Sequence, residues 1–236
     1  MSAIEVDLRL RSPHWSRVTA SADTVNDGNG LWVRADHDCS DPTDPEVLAS
    51  HPGRLAAIQI DGDEVVLAQD RLRSWPLFWS LEDGVGGAQR LVISDDTTLM
   101  REAVSTPRLD ARARREFLDA GFVTGSDTLL AGIHQTEQGT VVRIDRATGR
   151  VRTINHSLGR FSEETDTVVA PEDFSDLLTE ALDAVLGRLL VDLDRRPGTP
   201  RLVVPLSGGL DSRLLVAWLA LHDALDRTVA FTYGRP

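Results

Sequence analysis

The sequence predicts an α/β protein of the α+β kind, with a strand-rich domain over residues 1–162 and the start of a parallel α/β domain over residues 163–236. Three observations predict it. Up to about residue 160, short apolar runs alternate with turn residues, the pattern of strands joined in a meander. From residue 162 the segment SEETDTVVAPED is acidic and aperiodic, as a linker is. Beyond it, two apolar runs bracket a helix pattern in strand–helix–strand order. With 236 residues, of which 41% are hydrophobic and 26% charged, the chain has the balance of a folded globular protein and excludes a disordered polymer.

In the first domain, Leu31 to Ala35, Arg54 to Asp61, Glu64 to Asp70, Pro76 to Asp83 and Arg90 to Asp96 read as strands. Asp61-Gly62-Asp63 has the chemistry of a tight hairpin turn, and Asp83-Gly84 with Gly86-Gly87 that of a looser one. Asp110 predicts the N-cap of a short helix, Ala111 to Ala120, which Gly121 stops. Strand-like runs and turns then alternate, with a hairpin at Gly149.

In the second domain, Pro171 stands at the first position of a helix whose opening turn carries Glu172 and Asp173. Phe174, Leu177, Leu178, Ala181, Leu182, Val185, Leu186 and Leu189 recur at three- and four-residue spacing, one apolar face over about five turns. RRPGTP breaks that helix. The run Arg201 to Leu206 suits a parallel strand buried on both faces, Ser212 to about Leu225 a second helix, and Thr228 to Tyr233 a second strand.

Charge and composition narrow the chemistry. A net charge of −12 opposes a general grip on nucleic acid or on an anionic membrane. All 25 basic residues are arginine, which removes every lysine-dependent mechanism from this stretch. The single cysteine, Cys39, excludes an internal disulfide. Glu5 and Asp7 interrupt what a signal peptide would need as an apolar run, and no apolar run reaches the roughly 18 residues of a membrane span. A soluble, cytoplasmic protein is expected.

Where the first apolar run of the second domain ends, Ser207-Gly208-Gly209-Leu210-Asp211-Ser212 stands directly before the helix. Adjacent glycines allow backbone conformations that aim successive N–H groups at one point, and the helix dipole adds to them, so the segment predicts an anion nest. Ser207 and Ser212 supply hydroxyl donors for phosphate oxygens, and Asp211 a carboxylate for Mg²⁺.

These residues resemble the signature of the PP-loop ATP pyrophosphatases, and PLSGGLDSRLLVAWLA looks like the asparagine synthetase branch. Residues 53–79, 91–96, 107–145 and 231–236 follow that family's order, so the resemblance covers the chain from about residue 53 onward. It implies a glutaminase-like, N-terminal-nucleophile-type sandwich followed by the beginning of a PP-loop domain. It also implies an amide-forming ligase using ATP and Mg²⁺. A small-molecule or peptide carboxylate attacks the α-phosphate, pyrophosphate leaves, and the acyl-adenylate passes to ammonia or an amine. Carried over position by position, Ser207, Gly208, Gly209 and Ser212 hold pyrophosphate, Asp211 holds Mg²⁺, and Leu206 and Tyr233 meet the adenosine through backbone groups. Arg213 and Arg235 lie close in sequence to this loop, and no catalytic side chain is assigned.

The chain also departs from the family. Met1-Ser2-Ala3 lacks the N-terminal cysteine nucleophile, and the pieces that hold glutamine are missing before residue 53, so glutamine hydrolysis is not expected from Ser2. Asp70 matches a glutamine-binding aspartate of the family and is expected to be purely structural, while Arg73 stands where a glycine is usual. Trp75, Phe78 and Trp79 are expected in the core. Cys39, in an acidic loop, is expected to face solvent with a raised thiol pKa, and His37, Cys39 and His51 fall short of a zinc site. Further strands are expected of a complete synthetase half, so residues 163–236 read as its front part, binding nucleotide only weakly. Asparagine formation from aspartate is the default activity. A ring-closing ligase resembling β-lactam synthetases or lasso-peptide cyclases is the alternative, and a non-catalytic scaffold the third reading. Self-association into a homo-oligomer stays open.

Overall fold

The structure is a computed structural model and describes residues 4–18, 29–83, 89–156, 170–195, 197–198 and 200–232. It is a mixed α/β protein with several sheets and divides into two compact units, residues 1–160 and 161–236. Among the described residues no helix is long and apolar enough to cross a membrane.

The first unit is built on two sheets. In chain order its strands are β1 (Glu5–Arg9), β2 (Ser16–Val18), β3 (Gly30–Ala35), β4 (Leu55–Ile60), β5 (Glu64–Gln69), β6 (Phe78–Asp83), β7 (Gln89–Ser94), β8 (His134–Gln135), β9 (Thr140–Asp145) and β10 (Val151–Asn155). One sheet runs β10-β9-β5-β4-β3-β2 and is antiparallel throughout; the other runs β1-β7-β6-β8, with β1 parallel to β7.

Alternation along β4 explains how the sheets stack. Ala56, Ile58 and Ile60 join Ile4, Leu67, Leu77, Trp79, Leu91, Ile93 and Ile144 in one core drawn from both sheets. Leu55 and Ala57 point the other way and pack with Val66, Val141 and Leu48 of helix α1 (Pro45–Ser50). On the outer face of the smaller sheet, Val92 packs with Met100, Ala103 and Val104 from and just after helix α2 (Thr97–Ala103). Each sheet therefore carries one helix on its outer side, and β4 is buried on both faces.

Polar chemistry closes the turns. Asp61 Oδ1 accepts from the N–H groups of Asp63 (3.0 Å) and Glu64 (2.8 Å) at the β4–β5 hairpin. At the β9–β10 hairpin Gly149 has φ +70°, and a Cβ there would come within 2.8 Å of Gln89 Oε1, so glycine suits the position twice over. The Gly84–Gly87 turn expected between β6 and β7 lies outside the described residues. Helix α3 (Ala111–Ala120) starts where Asp110 Oδ1 accepts from Ala113 N–H at 2.8 Å and ends at Gly121 with φ +84°.

The second unit contains α4 (Pro171–Asp194), β11 (Leu202–Pro205), α5 (Leu210–Leu221) and β12 (Thr228–Phe231), with β11 and β12 parallel. Val204, Trp218, Leu219 and Ala224 form its core, joined by Leu182, Leu186 and Leu190 of α4. A polar tie holds the two helices: Trp218 Nε1 donates to Asp183 Oδ1 at 2.6 Å, and the His222 ring stacks on Trp218 with centroids 4.0 Å apart.

Three expectations for this unit need correcting. The second helix begins at Leu210, not Ser212, because the turn tightens directly after Gly209, and it ends at Leu221, where His222 caps it. The apolar face of α4 is only partly used, since Phe174, Leu177, Val185 and Leu189 are exposed while Leu182 and Leu186 are packed. The strand expected to be buried on both faces buries Val204 and leaves Val203 63% exposed, because helices pack on one side of a two-stranded sheet here.

Candidate functional site

The SGGLDS segment occupies the turn between β11 and α5, at the carboxyl end of β11. Leu206 N–H donates to Phe231 O at 2.7 Å, extending the parallel ladder by one residue before the chain leaves the sheet. Of the backbone groups expected to meet adenosine, the N–H of Leu206 is thus already taken. Tyr233, expected beside it, and Arg235 lie outside the described residues.

Two serines clasp the turn. Ser207 N–H donates to Ser212 Oγ (3.1 Å), the two hydroxyl oxygens lie 3.1 Å apart, and Ser212 Oγ donates to Ser207 O (3.3 Å). Ser207 Oγ also accepts from Gly209 N–H at 3.1 Å. Serine at both ends of a six-residue turn suits this, since a short hydroxyl side chain bonds readily to nearby backbone. Here the finding differs from the expected nest: neither Gly208 nor Gly209 has positive φ, and the Gly209 N–H points inward to Ser207 rather than outward.

Outward-facing capacity comes from the helix start. Gly209 is the N-cap, with φ −73° and ψ 161°, and no side chain caps the turn that follows. The first N–H groups of an α-helix have no partner within it, so this end carries partial positive charge. Gly208 has open space where a Cβ would stand, with nothing within 4 Å. Protein packing does not demand glycine there, and the position leaves room for a close approach from outside. Asp211 is exposed in the first turn, and Arg213 Nε donates to Gly209 O at 3.2 Å, which sets a guanidinium beside the loop.

No group of three or more His, Cys, Asp or Glu residues fit to hold a metal exists among the described residues. One exposed carboxylate, Asp211, matches the habit of Mg²⁺, which keeps waters and takes its remaining ligands from substrate phosphates. The serines, the open Gly208 and the bare helix end therefore fit a phosphate-bearing ligand with one divalent ion.

In the first unit Asp70 is fully employed. Its carboxylate accepts from the N–H groups of Leu55 (2.9 Å), Leu72 (2.7 Å) and Ser74 (3.3 Å), and its carbonyl from Gly139 N–H at 2.8 Å. Arg73 adopts φ +52°, a left-handed conformation that glycine takes without strain. Trp79 lies in the core, whereas Trp75 is half-buried under two guanidinium groups, Arg34 at 4.3 Å and Arg54 at 5.0 Å from its ring centroid. Cys39 corrects an expectation: it is half-buried against the α1 core, and burial, more than the acidic loop, pushes its thiol pKa up. Ser2 lies outside the described residues.

Sequence reasoning passed over the Asp183–Trp218–His222 tie that braces α5. An indole and an imidazole four residues apart on one helix face were its signal. Compared with protein-family models and with the curated proteins, the chain matches none of them.

Proposed function

We propose that the chain belongs to an ATP-dependent amide-forming ligase of the asparagine synthetase type, with a PP-loop in its second unit and a glutaminase-like, N-terminal-nucleophile-type sandwich in its first. The observation that carries this reading is the placement of SGGLDS at the carboxyl end of a parallel strand, opening a helix, with Gly208 bare toward solvent. Two packed sheets, each covered by a helix, support the sandwich assignment.

On this reading the helix start and Gly208 cradle the pyrophosphate of ATP, and Asp211 holds Mg²⁺, which when bound neutralises phosphate charge. Ser207 and Ser212 turn their hydroxyls from each other to phosphate oxygens. A substrate carboxylate oxygen bonds to the α-phosphorus as the bond to the bridging oxygen breaks, and the N–H groups stabilise charge growing on departing pyrophosphate. An amine or ammonia then displaces AMP from the acyl carbon and loses a proton. Leu206 and Tyr233 border the adenosine. Such chemistry, fed by ATP, belongs to the cytoplasm.

A second reading concerns the amine. Asp70 is occupied by three backbone N–H groups, which leaves its carboxylate unsuited to hold a glutamine ammonium. That favours free ammonia, with asparagine from aspartate as the default, or an amine of the substrate itself, as in a macrolactam- or β-lactam-forming cyclase. A scaffold without catalysis is the reading left if nucleotide does not bind.

The test is equilibrium binding of MgATP to the 236-residue chain. Asp211→Ala is expected to weaken it about tenfold, and Gly208→Val to abolish it. Absence of binding, or equal affinity in all three proteins, overturns the reading. AMP release with aspartate plus ammonia, against release with a peptide or a β-amino acid, separates the two enzyme readings.

A further inference from the structure

The first unit holds a cavity of about 490 Å³ between α2, α3 and the β8 edge of the smaller sheet, within the roughly 300–1,000 Å³ of small-molecule sites. Phe78, Met100, Phe117, Phe122, Leu130 and Ile133 make its walls apolar. Arg73 and Gln135 stand at its polar side.

Arg73 is held there on purpose-like terms of geometry. Its φ of +52° is one of two positive values at non-glycine residues among those described. A strained backbone persists where the side chain it aims has a use. Arg73 Nη1 donates to Gln135 Oε1, and Gln135 Nε2 is fixed in turn by Gly125 O at 2.8 Å, so the guanidinium is positioned rather than free. Its partner is a neutral amide, and it makes no ion pair with Asp or Glu among the described residues. The carboxylate that lines the cavity, Asp127, is 55% exposed and lies 3.6 Å from His134 Nδ1. Thr128 Oγ1 is engaged by the carbonyls of Leu130 and Ile133. Arg73 is thus the cationic side chain that lines the cavity, and the group it bonds to there is neutral.

We infer that this cavity binds an amphipathic monocarboxylic acid, its apolar body among Phe78, Met100 and Phe117 and its carboxylate on the Arg73 guanidinium. The guanidinium fork suits a planar carboxylate, and an apolar surround strengthens the pairing. This site is independent of the nucleotide loop and does not rest on the proposed ligase activity.

Calorimetric titration of the full chain with 6-phenylhexanoate and with its neutral twin, 6-phenylhexan-1-ol, tests it. The acid is expected to bind at one site and at least about tenfold more tightly than the alcohol, the difference a charge-assisted hydrogen bond makes. Arg73→Gly, which relieves the backbone strain and so folds, is expected to erase that difference without lowering the melting temperature. Arg73→Gln, which keeps a polar, hydrogen-bonding side chain without the charge, is expected to do the same. Equal binding of acid and alcohol, retention of the preference in both variants, or no binding of the acid overturns the inference.

Discussion

The hydroxyl oxygens of Ser207 and Ser212 lie 3.1 Å apart across the β11–α5 turn, so the loop is closed by its own side chains before any ligand arrives. On the proposed reading, phosphate binding exchanges these bonds for new ones. Ser212→Ala removes the acceptor for Ser207 N–H and, on that reading, one phosphate donor with it. MgATP affinity is expected to fall about fivefold to tenfold, while thermal stability changes by less than about 1 kcal/mol because both groups are near water. Titration of the variant beside its melting curve checks both halves; a large stability loss would mark the clasp as structural instead.

Asp183 and Trp218 make the polar joint of the second unit. Asp183→Ala leaves a buried indole N–H unpaired, and a loss of about 1–3 kcal/mol is expected. Asp183→Asn keeps an acceptor oxygen and is expected to recover most of it. Urea unfolding followed by tryptophan fluorescence reads the order of the three proteins.

Asp70 ties the start of β4 to the loop after β5. Asp70→Ala strips several donors of their acceptor, including the buried N–H of Leu55, and is expected to cost about 3 kcal/mol or more. If the carboxylate served glutamine instead, the variant would fold with near-native stability, and denaturant unfolding would report that.

Asp7 links its neighbour Arg9 (3.0 Å) with Arg90 of the adjacent strand (2.5 Å), and the Arg9 hydrogen bond first, then Arg90, holds its carboxyl below the usual carboxylate range. A folded-state pKa below the unfolded one gives stability that is present above pH ~4 and is lost as pH falls through the folded value. Asp7→Asn is therefore expected to lower stability at pH 7 by no more than about 1 kcal/mol, since the pair is partly solvated, and to match the wild type near pH 2. Melting curves across that range decide it; a constant difference at every pH would remove the ion pair as the cause.

Local chemistry made some elements legible. Asp110 and Gly121 bound α3 by a cap and a left-handed stop, both readable from residue type. The β4–β5 hairpin is legible for the same reason, an Asp side chain that folds the turn by itself. Helices α1 and α2 were not read because six or seven residues cannot establish a 3.6 period, even with Asp44 and Asp96 capping them. Strand β1 is legible in the alternation of Ile4, Val6, Leu8 and Leu10 with Glu5, Asp7 and Arg9, and it escapes a reading that takes its acids only as breaks in an apolar run; what the sequence does not announce is its partner β7, more than 80 residues away. At the β11–α5 turn residue type shows which groups gather but not that the hydroxyls satisfy each other, since that depends on the spacing the turn adopts.

The pairing of β1 with β7, together with the bond from Ile4 N–H to Arg146 O at 2.8 Å, sets an order of events in synthesis. During synthesis β1 has no neighbouring strand to dock on until β7, more than 80 residues further along, has emerged. Ile4, Val6, Leu8 and Leu10, all packed against the main core in the finished molecule, lack their neighbouring strand until Ser94 has been made, and Ile4 lacks its backbone partner until Arg146 has. The β1–β7 seam is thus a contact of long sequence separation, slow to close, and these apolar side chains lack that cover until it does.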